Sequence, residues 1–118
     1  MKKLIVALIS AMVATICFAE TGSLAATASS VSFTNDGPHS LVYIENAAVK
    51  TATAQANVYS VLVTKGSVDY QVATITTTTN SVYGNVVVTN PIPVGSDGVF
   101  KISRTTTGVV ANVYIDIR

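Results

Sequence analysis

The sequence predicts an all-β fold: a single antiparallel β-sandwich of about seven strands, Greek-key or jelly-roll in its connections, behind an N-terminal export signal. Three observations predict it. Valine and threonine supply about a third of residues 20–118, and branching at Cβ suits a pleated sheet better than a helix. Apolar and polar residues alternate with period two in several short runs. Clusters of Gly, Asn, Asp and Pro break those runs at roughly the 8–12-residue spacing of an antiparallel sandwich or barrel.

The chain opens on "MKKLIVALISAMVATICFAE". Lys2 and Lys3 precede an uncharged apolar run from Leu4 to Ile16, and Cys17-Phe18-Ala19 places small residues at the first and third positions. That order is the basic, apolar and small-x-small sequence of a secretory signal peptide, cut after Ala19. The apolar run is too short for a bilayer span, which needs about 20 residues. Lipidation at Cys17 fits poorly, because bulky Ile16 stands where that pattern wants a small side chain. The expected organisation is therefore a signal peptide (1–19), a flexible leader (20–29) and one sandwich domain (30–118), located outside the cell or in the periplasm, associated with the cell surface and without a membrane span.

A chain of this length can bury a real core without a metal or disulfide. The single cysteine, Cys17, leaves with the signal. Within 20–118, five basic residues oppose six acidic ones, a net charge of −1. No basic patch exists to follow a phosphate backbone, so nucleic acid is not an expected partner.

Each element follows from its local pattern. "ETGSLAATASS" (20–30) is small and polar and reads as the leader. "SVSFT" (30–34) alternates, with Val31 and Phe33 on one face. "NDGPHS" (35–40) is a turn, and "LVYIE" (41–45) the next strand. "NAAVKTATAQA" (46–56) reads as an irregular or edge segment. "NVYSVLVT" (57–64) and "VDYQVATIT" (68–76) form the clearest hairpin, with Gly66 free to take positive φ. Tyr59, Val61 and Val63 share one face; Val58, Ser60, Leu62 and Thr64 share the other. Apolar residues on both faces suggest a central strand. "VYGNVVVT" (82–89) is a strand bent at Gly84. Pro91 and Pro93 keep 90–98 out of any central strand. "VFKISR" (99–104) alternates. "VVANVYIDIR" (109–118) is the best period-two stretch and reads as a core-lining strand, with Val109, Ala111, Val113, Ile115 and Ile117 on one face and Asn112, Tyr114, Asp116 and Arg118 on the other.

The run "TITTTTN" (74–80) places Thr74, Thr76 and Thr78 on one face. A threonine-covered, solvated sheet surface explains them: the residue favours strands and also wets. An O-glycosylated stalk mixes in Pro over a longer tract. An ice-binding array repeats at a fixed period, which Thr51/Thr53 and Thr105/Thr107 do not supply.

Catalytic chemistry is scarce, and the chain reads as non-enzymatic with no cofactor. His39, the sole histidine, follows Pro38 in a turn, with Asp36 the only neighbouring acid. Zinc sites need Cys and His ligands that are missing after cleavage. Asp69 and Asp116 are lone acids on separate strands, short of evidence for a paired-carboxylate site. Asp97 in "GSDG" is one oxygen ligand where calcium wants several, and a tight turn explains it. No Gly-rich phosphate cradle occurs.

Eleven of the 99 residues in 20–118 are charged, against about a quarter in ordinary domains. Charges defend sheet edges against pairing with neighbours. The leading expectation is an exported structural or adhesive protein at the cell surface, with homo-assembly as part of that reading and even the leader as a strand donated to a neighbour. The alternative is a carbohydrate- or ligand-binding module presenting surface tyrosines. Its candidate surface is Tyr43, Tyr70 and Tyr83 with Thr74, Thr76 and Thr78. Expected partners are a second copy of the chain and a glycan or other cell-surface molecule.

The segment "NPIPVGSDGVFKISRTTTGVVANVYIDIR" (90–118) resembles the C-terminal strands of bacterial secreted Ig-like β-sandwich surface and accessory domains. The shared features are a "PVG-x-DG" turn, an alternating strand, a small-residue turn and a last strand of "V-x-V-D-V/I" type. The usual Gly-Tyr after that strand is missing. The resemblance implies a sandwich and a surface role and assigns no functional residue.

If 1–19 is an export signal, the exported protein begins at Glu20. Intact-mass measurement of the secreted or periplasmic material checks this; a mass retaining Lys2 and Lys3 overturns it.

Overall fold

A computed structural model of the chain describes residues 18–36 and 41–118. Most of the expected signal segment and part of the 35–40 turn, including His39, lie outside the described residues. The elements in order are β1 (Phe18–Leu24), β2 (Ser30–Thr34), β3 (Leu41–Val42), β4 (Ile44–Thr51), β5 (Asn57–Lys65), β6 (Val68–Thr77), β7 (Tyr83–Val87), β8 (Val94–Gly95), β9 (Val99–Arg104) and β10 (Ala111–Ile117). Two four-stranded sheets, ordered β1-β10-β4-β7 and β2-β9-β5-β6, pack face to face, and β3 pairs with β8 beside them. All pairings are antiparallel. The all-β sandwich expected from the sequence is present, and its order is that of a jelly roll.

The pairing is nested. β5 pairs with β6, β4 with β7, β3 with β8, β2 with β9 and β1 with β10. The chain is one long hairpin ribbon folded over itself. Its tip is the two-residue loop Gly66-Ser67, where φ is +57° and +65°. Positive φ at both positions is the type I′ geometry that matches the twist of the flanking strands. The hairpin expected around "KGS" is therefore the origin of the whole topology. β5 lies inside its sheet between β9 and β6, as its two apolar faces suggested.

Period two delivers the core. Tyr59, Val61 and Val63 from β5, Phe100 and Ile102 from β9, and Ala111, Val113, Ile115 and Ile117 from β10 are all buried. Phe33 and Phe100 stack with centroids 5.5 Å apart. Two glycines let the sheets meet at their edges. A Cβ at Gly84 of β7 falls 2.7 Å from the Ile75 methyl of β6, and one at Gly22 of β1 falls 3.0 Å from the Phe33 ring of β2. At both seams a side chain would push the layers apart.

Three expectations are corrected here. The leader is no leader in its first half: Glu20–Leu24 continues β1 along β10, and Leu24 is fully buried. Its Thr, Gly and Ser carry little strand signal; a partner 90 residues away in sequence decides its conformation. Residues 46–51 are no edge segment but the interior strand β4 between β10 and β7, with Ala47 and Val49 buried. Alanine hides that role because β-propensity reports packing, which here comes from both neighbours. Gly84 does not bend its strand: the β4–β7 register runs unbroken from Asn46↔Val87 to Lys50↔Tyr83. It provides room.

The ends of the sandwich are closed by buried polar groups. At one end Arg104 is only 5% exposed. Its Nε donates to Ala28 O (3.0 Å), Nη2 to Ala25 O (2.6 Å) and Ala26 O (3.4 Å), and Nη1 to Val109 O. The neighbouring Asn57 carboxamide accepts from Val58 N, Thr105 Oγ1 and Thr106 N and donates to Thr106 O. At the opposite end Asn35 Nδ2 donates to Val94 O and Gly95 O. Asp97, at φ +59°, makes the tight turn that its glycines suggested, and its N–H bonds Asn35 O.

Arg104→Met keeps the stem and removes a donor from four carbonyls. Ala25 O and Ala26 O keep backbone donors in Ala28 N and Gly108 N, whereas Ala28 O and Val109 O lose theirs. A buried carbonyl left unbonded costs about 1–3 kcal/mol. Allowing for partial rehydration, a loss of roughly 2–4 kcal/mol is expected in chemical denaturation. A loss below about 1 kcal/mol shows that water replaces the guanidinium.

Candidate interaction surface

The outward residues of the two sheets differ in chemistry. On the sheet β2-β9-β5-β6, registers place Ser30, Ser103, Ser60 and Thr74 in one cross-strand row. Thr34, Val99, Thr64 and Asp69 form another. Thr74, Thr76 and Thr78 are exposed, and Ile75 and Thr77 opposite them are buried. Thr74, Thr76 and Thr78 thus belong to a hydroxyl-bearing outer face, which also shows Val58 at 40% exposure. Its charge is internally matched: Lys101 Nζ lies 2.7 Å from Asp69 Oδ2, and Thr64 Oγ1 donates to Asp69 Oδ1 at 2.7 Å. The hydrogen bond from Lys101, then that from Thr64, hold the Asp69 carboxyl below its usual range.

The outer face of β1-β10-β4-β7 is built in three rows. Ser23, Asn112, Lys50 and Tyr83 form the first; Thr21, Tyr114, Ala48 and Asn85 the second; Ala19, Asp116, Asn46 and Val87 the third. Tyr83 and Val87 are each 64% exposed and Tyr114 is 42% exposed. Between Tyr83 and Tyr114 lies a shallow hollow of ≈ 570 Å³ floored by Ala48. The Lys50 ammonium sits 5.6 Å from the Tyr83 ring centroid, a cation–π distance. A second hollow of ≈ 440 Å³ runs between Tyr43, Val87 and Arg118 at the end of the same sheet.

The expected tyrosine trio therefore divides. Tyr43 and Tyr83 lie with the β1-β10-β4-β7 sheet, whereas Tyr70 is on β6 of the other sheet, as are the threonines. Tyr114, treated in the sequence only as the polar side of its strand, joins Tyr83 because β10 pairs with β4 and β4 with β7. Only strand order could have revealed that. Asp69 and Asp116 face opposite sides of the sandwich and cannot cooperate. Among the described residues no group of three His, Cys, Asp or Glu could hold a metal ion, and no helix is long and apolar enough to cross a membrane.

No family model matches this sequence, and no curated protein matches it. Solved structures do match. The Drosophila NLP core, described for its pentamer formation and histone binding, aligns over 86% of this chain and 95% of its own, with a TM-score of 0.55 at 14% identity. The nucleoplasmin-like N-terminal domain of Drosophila FKBP39 aligns over 86% and 89%, at TM-score 0.45 and 9% identity. A virus-like particle of the extra small virus of the prawn Macrobrachium rosenbergii aligns over 86% and 77%, at TM-score 0.36 and 9% identity. The fold is that of a nucleoplasmin-like sandwich.

This corrects the functional expectation. A solved structure that shares the fold, the NLP core, is described for pentamer formation and histone binding and is not an Ig-like bacterial surface domain. The structural or adhesive role at the cell surface and the carbohydrate-binding alternative are both withdrawn, and with them the glycan partner. The shared turn-and-strand pattern of 90–118 explains how the expectation arose: it describes β9 and β10, which any sandwich can contain.

Asp69 is depressed in the folded state, so its contribution is present above the unfolded carboxylate pKa and fades as pH falls through the folded one. Asp69→Asn removes that acid-side dependence. Because the pair is part-exposed, the stability change at neutral pH is small. Denaturation midpoints between pH 2 and 7, for both proteins, check this; identical acid slopes overturn it.

Proposed function

We propose that this chain is a non-enzymatic, self-associating assembly module. The observation that carries the reading is the outer face of β1-β10-β4-β7, where Tyr83, Val87 and Tyr114 stand exposed around a hollow. Grouped exposed apolar side chains mark protein contact surfaces, and aromatic residues are enriched at them. The likeness to the NLP core, a protein described for pentamer formation, supports association as a use of this fold. The paucity of charge points the same way. The solitary placement of Asp69 and Asp116 supports the absence of catalysis. Residues 1–19 support delivery across a membrane.

Histone binding does not follow along with the fold. A basic partner calls for an acidic surface, and residues 20–118 hold six acidic against five basic residues with no acidic tract.

Light scattering coupled to size-exclusion chromatography tests the proposal. The expected mass rises with concentration and at about 100 μM exceeds the protomer's, toward twofold or a higher multiple. A monomer throughout the accessible concentration range overturns it.

A further inference from the structure

The three rows of the β1-β10-β4-β7 face have a property that concerns how two copies fit, and it rests on the self-association proposed above. Consider a two-fold axis lying in the plane of contact, parallel to the strands and midway between β10 and β4. It exchanges β10 with β4 and β1 with β7, and leaves every row in place. Under that operation Tyr114 of one copy lies over Ala48 of the other, and Tyr83 over Ser23. Val87 lies over the end of β1, where the outward residue is only Ala19 and where cleavage after Ala19 leaves the place open. All three bulky side chains meet small ones.

The polar members match as well. Asn46 already donates to Asp116 Oδ2 across its own sheet, at 3.4 Å; the same axis brings each next to the other's counterpart in the second copy. Lys50 falls over Asn112, whose carbonyl accepts from an ammonium, and Asn85 falls over Thr21. No like charges are opposed. We infer that a second copy of this chain docks here, face to face, as a two-fold dimer in which each Tyr114 enters the hollow over the other copy's Ala48.

An isologous contact has this character: one surface complementary to itself. Face-to-face sheets pack about 10 Å apart with strands turned by about 30°. That rotation fans the corners and leaves the middle row in register. The Tyr114–Ala48 pair, nearest the axis, is therefore the anchor. Four strands about 4.8 Å apart and some 20 Å long give a footprint of roughly 400 Å² per copy before side-chain relief. Over both copies that is about 800 Å², below the roughly 1,000 Å² that stable interfaces clear, so the contact is a weak, transient one with a dimer constant no tighter than micromolar.

The test is an exchange of knob and hole. Tyr114→Ala leaves two holes and Ala48→Tyr sets two knobs against each other; each is expected to weaken dimerisation at least tenfold, as loss of a central aromatic anchor does. In the double variant Ala48→Tyr/Tyr114→Ala the parts are interchanged, and the dimer constant is expected to return to within about threefold of wild type. Sedimentation equilibrium reads the constant, and circular dichroism confirms that each variant folds. Wild-type association unchanged by either single substitution overturns this face while leaving self-association standing. Weak singles without recovery in the double overturn the two-fold arrangement. A monomeric wild type removes the inference together with the proposal beneath it.

Discussion

Everything in this fold depends on nested pairing. Each strand of the first half finds its partner at a matching distance from the Gly66-Ser67 turn, so the register of the tip is passed outward from pair to pair. The side-chain period is two, and a slip of one residue at the tip would turn Val61, Val63 and Ile75 to solvent. The one recorded irregularity between β5 and β6 lies between Val61 and Leu62. It keeps both sides in phase: Thr74 and Thr76 remain outward beyond it, and Asp69 reaches Lys101 before it. The cost of nesting is sequence separation. β1 and β10 pair across about 90 residues of sequence, and closing such non-local contacts is slow.

The open ends of the sandwich impose a second requirement. Between sheets that close along both seams, the loops 25–29 and 105–110 at one end carry carbonyls that neither sheet can satisfy. Arg104 answers with a planar group bearing five donors. No carboxylate is paired with it in its described bonds; its charge is dispersed over carbonyl dipoles. Lysine could not spread its donors over two separated segments in this way. Asn57 performs the neutral version of the same task a strand away. Arg104 holds the segment that follows β1, and Asn57 holds the loop that follows β9.

Function follows from the inequality of the two faces. One sheet turns rows of serine and threonine to water, with its lone charge pair satisfied internally. The other turns tyrosine, valine and alanine outward, with bulk alternating along the middle row Thr21, Tyr114, Ala48 and Asn85 and rising toward β7 in the two rows beside it. A hydroxyl surface remains wet at little cost, whereas Tyr83 and Val87 gain by being covered. The proposed self-association uses that second side of the molecule; the fold shared with the NLP core implies no family identity at 14% identity.

The sequence by itself determined the strands whose alternation is strong: β2 and β9 to the residue, β5, β6 and β10 nearly so, and the turn at Gly66. It also determined the threonine face, because burial of Ile75 and Thr77 follows from period two alone. It could not determine β1, whose Thr-Gly-Ser is uninformative without β10, or the interior place of β4, whose alanines have weak intrinsic preference. It could not group the tyrosines either. Tyr43, Tyr70 and Tyr83 look alike along the chain, yet strand order sends Tyr70 to one sheet and puts Tyr114 beside Tyr83. Alternation is a property of neighbours in sequence and tells each side chain only in or out. Which outward side chains share a surface depends on hydrogen bonds between strands far apart in the chain, and those exist only in the folded molecule.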